Sequence, residues 1–190
     1  MAVFSIIFIV AYLAGSINFP ILLFRALGKD DPRESFSGNP GATNVYRQSG
    51  IFWAAIVLML DVGRAMAVAL ISVSLLKMEL VPCAGLGLII GNRFPCFHNF
   101  NGGKGVANYL GFSVIIVPVF AGISALAWVV IYALIRIPFT GSFVMVFILG
   151  MGTLSACNFK PIAAFGILTT VALIYYGHRR NIVDLIQKRR

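Results

Sequence analysis

Two glycine-rich stretches of this chain combine residue types that can bind an anion. The first has the sequence SGNPGATN and is followed by Arg47. Glycine and asparagine tolerate positive φ angles, so successive N–H groups can point into one concavity, and a helix starting there adds its positive dipole end. The same residues also form ordinary interhelical turns. The candidate residues are Ser37, Gly38, Asn39, Gly41, Thr43, Asn44 and Arg47.

The second stretch, NGGKG at residues 101–105, opens an apolar run. Its glycines allow the backbone to approach a phosphate closely, and Lys104 supplies a point charge. It differs from a Walker A loop, because the spacing is different and no Ser or Thr follows the lysine. A flexible turn is the alternative interpretation, although a second anion-binding pattern in one small chain argues against coincidence. The candidate residues are Gly102, Gly103, Lys104 and Gly105.

Further polar residues lie beside the later apolar runs. His178 and Asn181 are three residues apart, so on a continuing helix they share a face, and either can hydrogen-bond to an oxyanion or an acyl oxygen. Hydroxyl groups at Thr140 and Ser142, with Arg136 nearby, can complete a phosphate site, but such groups are equally common at membrane interfaces. The acidic pair at residues 30–31 is interpreted as part of a solvated loop.

The composition requires that these polar groups be positioned by membrane helices. Of 190 residues, 59% are hydrophobic and 11% charged, so a soluble fold would lack polar residues for its surface. The net charge is +9, and the basic residues that produce it lie in short gaps between apolar runs. This placement suits the binding of anionic headgroups or phosphorylated substrates better than the binding of nucleic acid. Three cysteines without ligand spacing predict neither a disulfide framework nor a zinc site.

Seven apolar runs are candidates for membrane spans. They cover residues 2–24, 51–76, 81–91, 106–118, 119–135, 141–157 and 161–177. The 81–91 run is too short for a free span, so we expect it to be surrounded by other helices. Asp61 and Arg64 interrupt the second run where they can neutralise each other. Pro118 divides two runs that otherwise form one, so five or six spans are the alternative.

Basic residues predict the orientation. With seven spans, one side has only Lys77 and Lys160. The other side has Arg25, Lys29, Arg33, Arg47, Arg93, Lys104, Arg136, Arg179, Arg180, Lys188, Arg189 and Arg190. We therefore expect an all-α polytopic membrane helix bundle of about seven transmembrane helices, one domain over residues 1–190. Its N-terminus would be outside and its C-terminus and polar loops cytoplasmic.

Four segments, in this order and spacing, resemble the bacterial acyl-phosphate:glycerol-3-phosphate acyltransferases. They are SGNPGATNVYR, the helix around Asp61, GNRFPCFHNFNGGKG and HRRNI, so the resemblance covers essentially the whole chain. It implies a seven-helix enzyme of the bacterial inner membrane with a cytoplasmic active site. The implied reaction, the first step of phospholipid synthesis, moves a fatty acyl group from acyl phosphate to the sn-1 hydroxyl of glycerol 3-phosphate, releasing lysophosphatidate and phosphate.

Matched by position, the resemblance implies phosphate-binding and catalytic roles for particular side chains. Lys104 and Arg47 would offset phosphate charge, and loop N–H groups would stabilise the oxyanion. The family is thought to use the phosphate of its own acceptor as the base, with His178 as the side-chain alternative. The implied catalytic residues are Ser37, Lys104, His178 and Asn181, with Ser142 in phosphate binding. The implied partners are the two substrates and membrane lipid, without a cofactor, nucleotide, metal, nucleic acid or required protein partner.

The chain also departs from the family pattern. The departures are Arg64 (usually lysine), Ala65 (usually glycine), Asn92 (usually histidine), Phe139 (usually a hydroxyl residue), Arg180 (usually an acid) and Asp184 (usually basic). Because of these departures, the acceptor could differ from glycerol 3-phosphate, and a non-catalytic membrane relative of the enzyme is one alternative. A transporter of a phosphorylated metabolite is the other, because half-helix ends beside an anion site are transporter features, although the sequence shows no two-fold repeat.

Overall fold

The computed structural model describes residues 1–187, which form α-helices joined by short turns and two longer loops. The tail cations Lys188, Arg189 and Arg190 lie outside the described residues. The α-helices are α1 (Ala2–Ser16), α2 (Phe19–Ala26), α3 (Ala42–Leu75), α4 (Val81–Arg93), α5 (Val106–Ile116), α6 (Pro118–Ile135), α7 (Pro138–Ala156), α8 (Pro161–Gly177) and α9 (Arg179–Gln187). A 3-10 turn, Met78–Leu80, precedes α4.

Within residues 1–187, five helical stretches are long and apolar enough to cross a membrane: Ala2–Ala26, α3, α6, α7 and Pro161–Gln187. The shorter α4 and α5 correspond to the two remaining predicted runs. Eleven of the thirteen residues of α4 are buried, as expected for a short helix surrounded by protein. The predicted all-helical, multi-pass membrane architecture is thus confirmed, and each predicted run lies mainly in helix.

The helix boundaries differ most from the predicted runs in two places. The first run is broken at Ile17, and Asn18 caps α2 by accepting the N–H of Ile21 at 3.3 Å. Helix α3 begins at Ala42 instead of residue 51, and Gly50, with φ of 84°, kinks it between the polar start and the apolar run. Both differences arise from a local cap or a local backbone angle. The length of an apolar run does not indicate either of these features.

The predicted division at Pro118 is present. Val117 leaves the helical conformation with φ of −139°, and Pro118 starts α6. Proline suits a first helical turn because the missing N–H has no intrahelical acceptor there. Helices α5 and α6 are therefore separate, while the number of helices that cross the membrane stays a prediction.

Helix α4 packs against α1, α3, α5 and α8. Its closest approach is to α1, where a Cβ on Gly91 would meet the carbonyl oxygen of Tyr12 and a Cβ on Gly15 would meet that of Leu88. Small residues allow such backbone contact between membrane helices. These glycines are therefore required by packing, and they fix the helix whose C-terminus supports the polar loops.

The polar loops gather at one end of the bundle. Arg33, in the loop between α2 and α3, donates to carbonyl oxygens of the α4–α5 loop, and Lys104 of that loop donates to Asn181 on α9. The Cys157 thiol donates to the carbonyl oxygen of Met78, joining the turns that carry Lys160 and Lys77. The two groups of basic residues thus lie on different loop clusters, and the cytoplasmic assignment of the more basic one stays a prediction.

Candidate active site

Two adjoining cavities open among the polar loops. The smaller, of about 110 Å³, lies between the two glycine-rich stretches and the start of α9. Four cationic residues line it, Arg93, Lys104, Arg179 and Arg180, and no acidic residue does so among the described residues. The larger, of about 400 Å³, extends between α3, α5, α6 and α7. Both cavities are lined by Ser37, Asn39, Lys104 and Asn181.

Every residue predicted to bind phosphate or to act in catalysis lines at least one of these cavities. The smaller cavity contains Gly38 and Gly102 in addition to the shared residues. The larger contains Gly41, Thr43, Asn44, Arg47, Gly103, Gly105, Ser142 and His178. Arg136 and Thr140, considered with Ser142, line neither cavity. The structure therefore brings the predicted residues together, while their individual roles stay predictions.

The first glycine-rich stretch is braced by its own side chains. The amide nitrogen of Asn44 donates to the carbonyl oxygens of Pro32 at 2.8 Å and Ser35 at 3.2 Å, and its Oδ1 accepts the N–H of Ser37. The N–H of Gly38 donates to Ser35 O. Because these groups are used inside the loop, Asn44 holds the shape of the loop rather than presenting its amide to a ligand.

The second stretch is tied to the end of α4. The N–H of Gly102 donates to Arg93 O at 3.2 Å, and the N–H of Gly103 donates to Asn92 O at 2.9 Å. A Cβ on Gly102 would collide with the Asn92 carbonyl oxygen. These two glycines thus allow close approach to α4, which differs from the expectation that they let the backbone approach a phosphate.

Free backbone donors reach the larger cavity from two helix starts. Gly41, Ala42 and Thr43 at the start of α3 line it, as do Gly105 and Val106 at the start of α5. The first N–H groups of a helix have no intrahelical acceptor, and the positive dipole end favours an anion. The starts of α3 and α5 therefore offer N–H donors to this cavity, while anion binding by them stays a prediction.

Lys104 is the cation at the junction of the cavities. Its Nζ donates to Asn181 Oδ1. Burial, with repulsion from Arg93 and Arg47, lowers the pKa of Lys104 to about 8. An anion in the cavity would stabilise the charged form, so ligand binding is expected to raise this pKa.

His178 is buried beside the same junction. Its Nδ1 lies 2.9 Å from the carbonyl oxygen of Ile174. A carbonyl oxygen can only accept, so Nδ1 carries the hydrogen, and in neutral imidazole Nε2 is left as an acceptor. Phe143 lies edge-on at 5.3 Å between ring centroids, and Phe139 lies at 6.4 Å. The departure at Phe139 therefore places an aromatic ring against the histidine.

Ser142 already has two protein partners. Its Oγ donates to Pro138 O at 3.2 Å and accepts from Trp128 Nε1 at 3.3 Å. A serine hydroxyl has one hydrogen, so donation to a phosphate would require it to leave Pro138. With these bonds intact, Ser142 can only accept from a ligand.

Among the contacts at the site that sequence reasoning missed is that of Arg33. Arg33 and Asp31 form an ion pair at 2.5 Å in the loop interpreted as solvated, and Arg33 also reaches the second glycine-rich stretch. The acid-rich loop sequence contains no signal for this distant contact. Within residues 1–187, no group of three or more His, Cys, Asp or Glu side chains could hold a metal ion.

Comparisons with known proteins find relatives that match nearly the whole chain. A family model described as glycerol-3-phosphate acyltransferase matches residues 5–188. The glycerol-3-phosphate acyltransferase of Pseudomonas paraeruginosa is 37% identical over 184 residues, covering 95% of this chain and 95% of the relative. That of Rhizobium etli is 36% identical over 178 residues, covering 94% and 85%.

Two solved structures are similar over almost the whole chain. Both are described as PlsY, an integral membrane glycerol 3-phosphate acyltransferase. The glycerol 3-phosphate form has a TM-score of 0.90 and 33% identity, covering 98% of this chain and 94% of that one. The lysophosphatidic acid form has a TM-score of 0.87 and 32% identity, covering 98% and 93%.

Proposed function

The chain belongs to the glycerol-3-phosphate acyltransferase family, and we propose that its adjoining cavities transfer an acyl group from acyl phosphate to the sn-1 hydroxyl of glycerol 3-phosphate. The observation that carries this proposal is the meeting of a small cationic cavity and a larger, partly apolar one at Lys104 and Asn181. A donor with a phosphate and a fatty chain needs both environments. A phosphorylated acceptor needs a second cationic region beside them.

The charges of the site suit two phosphate groups. Lys104 stands at the junction, Arg47 lines the larger cavity, and Arg93 lines the smaller one. The starts of α3 and α5 add N–H donors and positive dipole ends. Together they would offset the charges of donor and acceptor and hold the reacting groups side by side, which lowers the entropic part of the barrier.

The transfer itself needs few protein groups. The sn-1 oxygen forms a bond to the acyl carbon, and the bond between that carbon and the phosphate oxygen breaks, so inorganic phosphate leaves with its electron pair. The hydroxyl proton passes to a phosphate oxygen of the acceptor. His178 Nε2, fixed as an acceptor by the Nδ1 contact with Ile174, would orient the hydroxyl before attack. Lys104 and the helix starts would stabilise the oxyanion that forms on the acyl oxygen.

The apolar part of the larger cavity fits the acyl chain. Leu110 and Ala125 line its interior, and Leu58 on α3 and Val129 on α6 line it as well. Leu58 is 42% exposed and Val129 56% exposed. A fatty chain could therefore enter sideways from the bilayer, between α3 and α6, while its phosphate stays at the polar end.

The position in the cell follows from the same charge pattern. The polar cluster contains Arg47, Arg93 and Lys104, whereas the opposite turns contain Lys77 and Lys160. Basic loops remain in the cytoplasm. The site would thus face the cytoplasm of a bacterial inner membrane, where a soluble phosphorylated acceptor and a membrane-borne donor can both reach it, and no protein partner would be required.

The test is formation of lysophosphatidate by purified protein in lipid, given palmitoyl phosphate and glycerol 3-phosphate. Lys104→Ala should abolish product, whereas Lys160→Ala, which removes an exposed cation at the other end, should not. Equal product from both variants would reject the role of Lys104. Uptake of the phosphorylated acceptor into vesicles without product would instead support a transporter, and absence of both binding and product would support a non-catalytic relative.

A further inference from the structure

Arg33 joins the two loops that form the walls of the smaller cavity. On one edge, its Nε donates to Asp31 Oδ1 at 2.9 Å and its Nη2 donates to Asp31 Oδ2 at 2.5 Å. The backbone N–H of Arg33 also donates to Asp31 Oδ1 at 2.9 Å. The carboxylate therefore holds the guanidinium in one plane, a paired arrangement that fixes direction as well as charge.

The other edge of the guanidinium contacts a distant segment. Nη1 donates to the carbonyl oxygen of His98 at 3.1 Å and to that of Asn101 at 2.8 Å. These residues are 65 and 68 positions away along the chain. Asn101 itself lines the smaller cavity and directly precedes the Gly102–Lys104 segment. One side chain thus connects the α2–α3 loop to the wall that carries Lys104.

Hydrogen bonds also fix the part of the α2–α3 loop that carries Arg33. Asn44 and Gln48 both donate to the carbonyl oxygen of Pro32, at 2.8 and 3.1 Å. Asn44 also accepts the N–H of Ser37, which stands in the facing wall of the cavity. Moving Arg33 relative to Asn101 would therefore change the distance between the two walls.

We propose that Asp31 and Arg33 form a clamp that positions the two cavity walls against each other, so that they are positioning residues for phosphate binding. This inference rests on the proposed function for its kinetic consequence. Neither residue lines either cavity. Their effect therefore passes through Ser37 on one wall and Lys104 on the other.

The chemistry of the clamp explains why arginine is needed. Arginine directs two N–H groups to the carboxylate and two to the carbonyl oxygens, whereas a lysine ammonium is a point charge without that fork. The hydrogen bonds from Arg33 hold the pKa of the Asp31 carboxyl below its ordinary value, so the pair is charged at neutral pH. Both side chains are partly exposed, so the pair adds little to global stability.

The test compares Arg33→Ala and Asp31→Ala in the full-length protein in lipid. Both break the clamp, but they change the charge near the cavity in opposite directions. We expect both to raise the KM for glycerol 3-phosphate, Arg33→Ala by about tenfold, as for loss of one charge-assisted hydrogen bond, with little change in kcat. Arg33→Lys should give an intermediate KM. Lys29→Ala, which removes an exposed cation from the same loop, should leave KM unchanged.

A second measurement does not depend on turnover. Hydrogen–deuterium exchange of segments 35–39 and 98–103 should rise in both clamp variants and stay unchanged in Lys29→Ala. A lower KM in Asp31→Ala with a higher KM in Arg33→Ala would show a simple charge effect and overturn the clamp, as would unchanged exchange. If the wild type forms no lysophosphatidate, the proposed function fails, and the exchange comparison alone still decides the clamp.

Discussion

Arg64 donates to the Asp61 carboxylate at 2.8 Å, and both side chains are less than a tenth exposed. The same Nη2 donates to Asn108 Oδ1 on α5 at 2.6 Å, and Nη1 donates to the carbonyl oxygen of Ile17, where α1 ends. The guanidinium also lies over the ring of Phe19. One side chain on α3 thus contacts the end of α1, α2 and α5. The ion pair that was predicted to neutralise itself therefore also stabilises the packing of these helices.

Arg64→Ala should destabilise the protein by about 3–5 kcal/mol, because it leaves the buried Asp61 carboxylate without a partner. Thermal unfolding in detergent would measure the loss, with the exposed cation Lys77→Ala as the matched control. Replacing both partners, Asp61→Leu with Arg64→Met, should recover most of the stability, since no buried charge remains. Equal unfolding midpoints for Arg64→Ala and Lys77→Ala would contradict the structural role of this pair.

Glycerol 3-phosphate binding should weaken as the pH rises through about 8. Lys104, whose pKa burial lowers to about 8, is charged below that pH and neutral above it. The charged form binds a phosphate, so KM should be lowest below pH 8 and should rise above it. Lys104→Arg keeps the charge throughout this range and should flatten the profile. A wild-type profile that remains parallel to that of the arginine variant would show that another group controls binding.

The composition and the apolar runs were sufficient to predict an all-helical membrane bundle with its polar loops clustered at one end. The division at Pro118 was also predictable, because proline acts locally. The break at Asn18 and the kink at Gly50 were not, since the apolar pattern continues across each. A single side-chain cap or a single φ angle determines each of these features, and the hydrophobic periodicity of the sequence does not reveal them.

Residue types identified the members of the site but not their partners. Lys104 and His178 were predicted from motifs and do line the cavities. The bracing by Asn44, the use of the Gly102 N–H by α4 and the reach of Arg33 to Asn101 depend on contacts between distant segments. Those contacts exist only once the helices are packed. Sequence reasoning therefore predicted that some groups bind phosphate, such as the Asn44 amide, when the fold uses them for its own hydrogen bonds.

Ala125→Leu should select against long acyl chains. Ala125 lines the apolar part of the larger cavity, and added methyl groups there would fill space that a chain needs. The KM for palmitoyl phosphate should rise by about tenfold, which corresponds to the binding free energy lost when one or two methylene groups are no longer buried. The rise should be smaller for a short-chain acyl phosphate. Ala133→Leu, an exposed position on the same helix, is the control. Equal effects on both chain lengths would place the acyl chain elsewhere.

The role of His178 can be separated into orientation and proton transfer. Its Nδ1 is committed to Ile174 O, so Nε2 can accept a hydrogen bond from the acceptor hydroxyl. If the phosphate of glycerol 3-phosphate takes the proton, His178→Ala should lower kcat by about tenfold, as for one lost hydrogen bond. His178→Gln, whose amide oxygen can accept, should recover most of that loss.

A histidine that removes the proton would give a different pattern. Loss of a general base lowers kcat by about 10²–10⁴-fold, and glutamine could not replace it because its amide does not take up a proton at neutral pH. Single-turnover measurements of lysophosphatidate formation in the two variants would distinguish these cases. A loss of about a hundredfold or more in both variants would assign the proton to His178 instead of the substrate. Recovery by glutamine would mean that the phosphate which Lys104 helps to bind is also the base, so that binding and proton transfer depend on the same group.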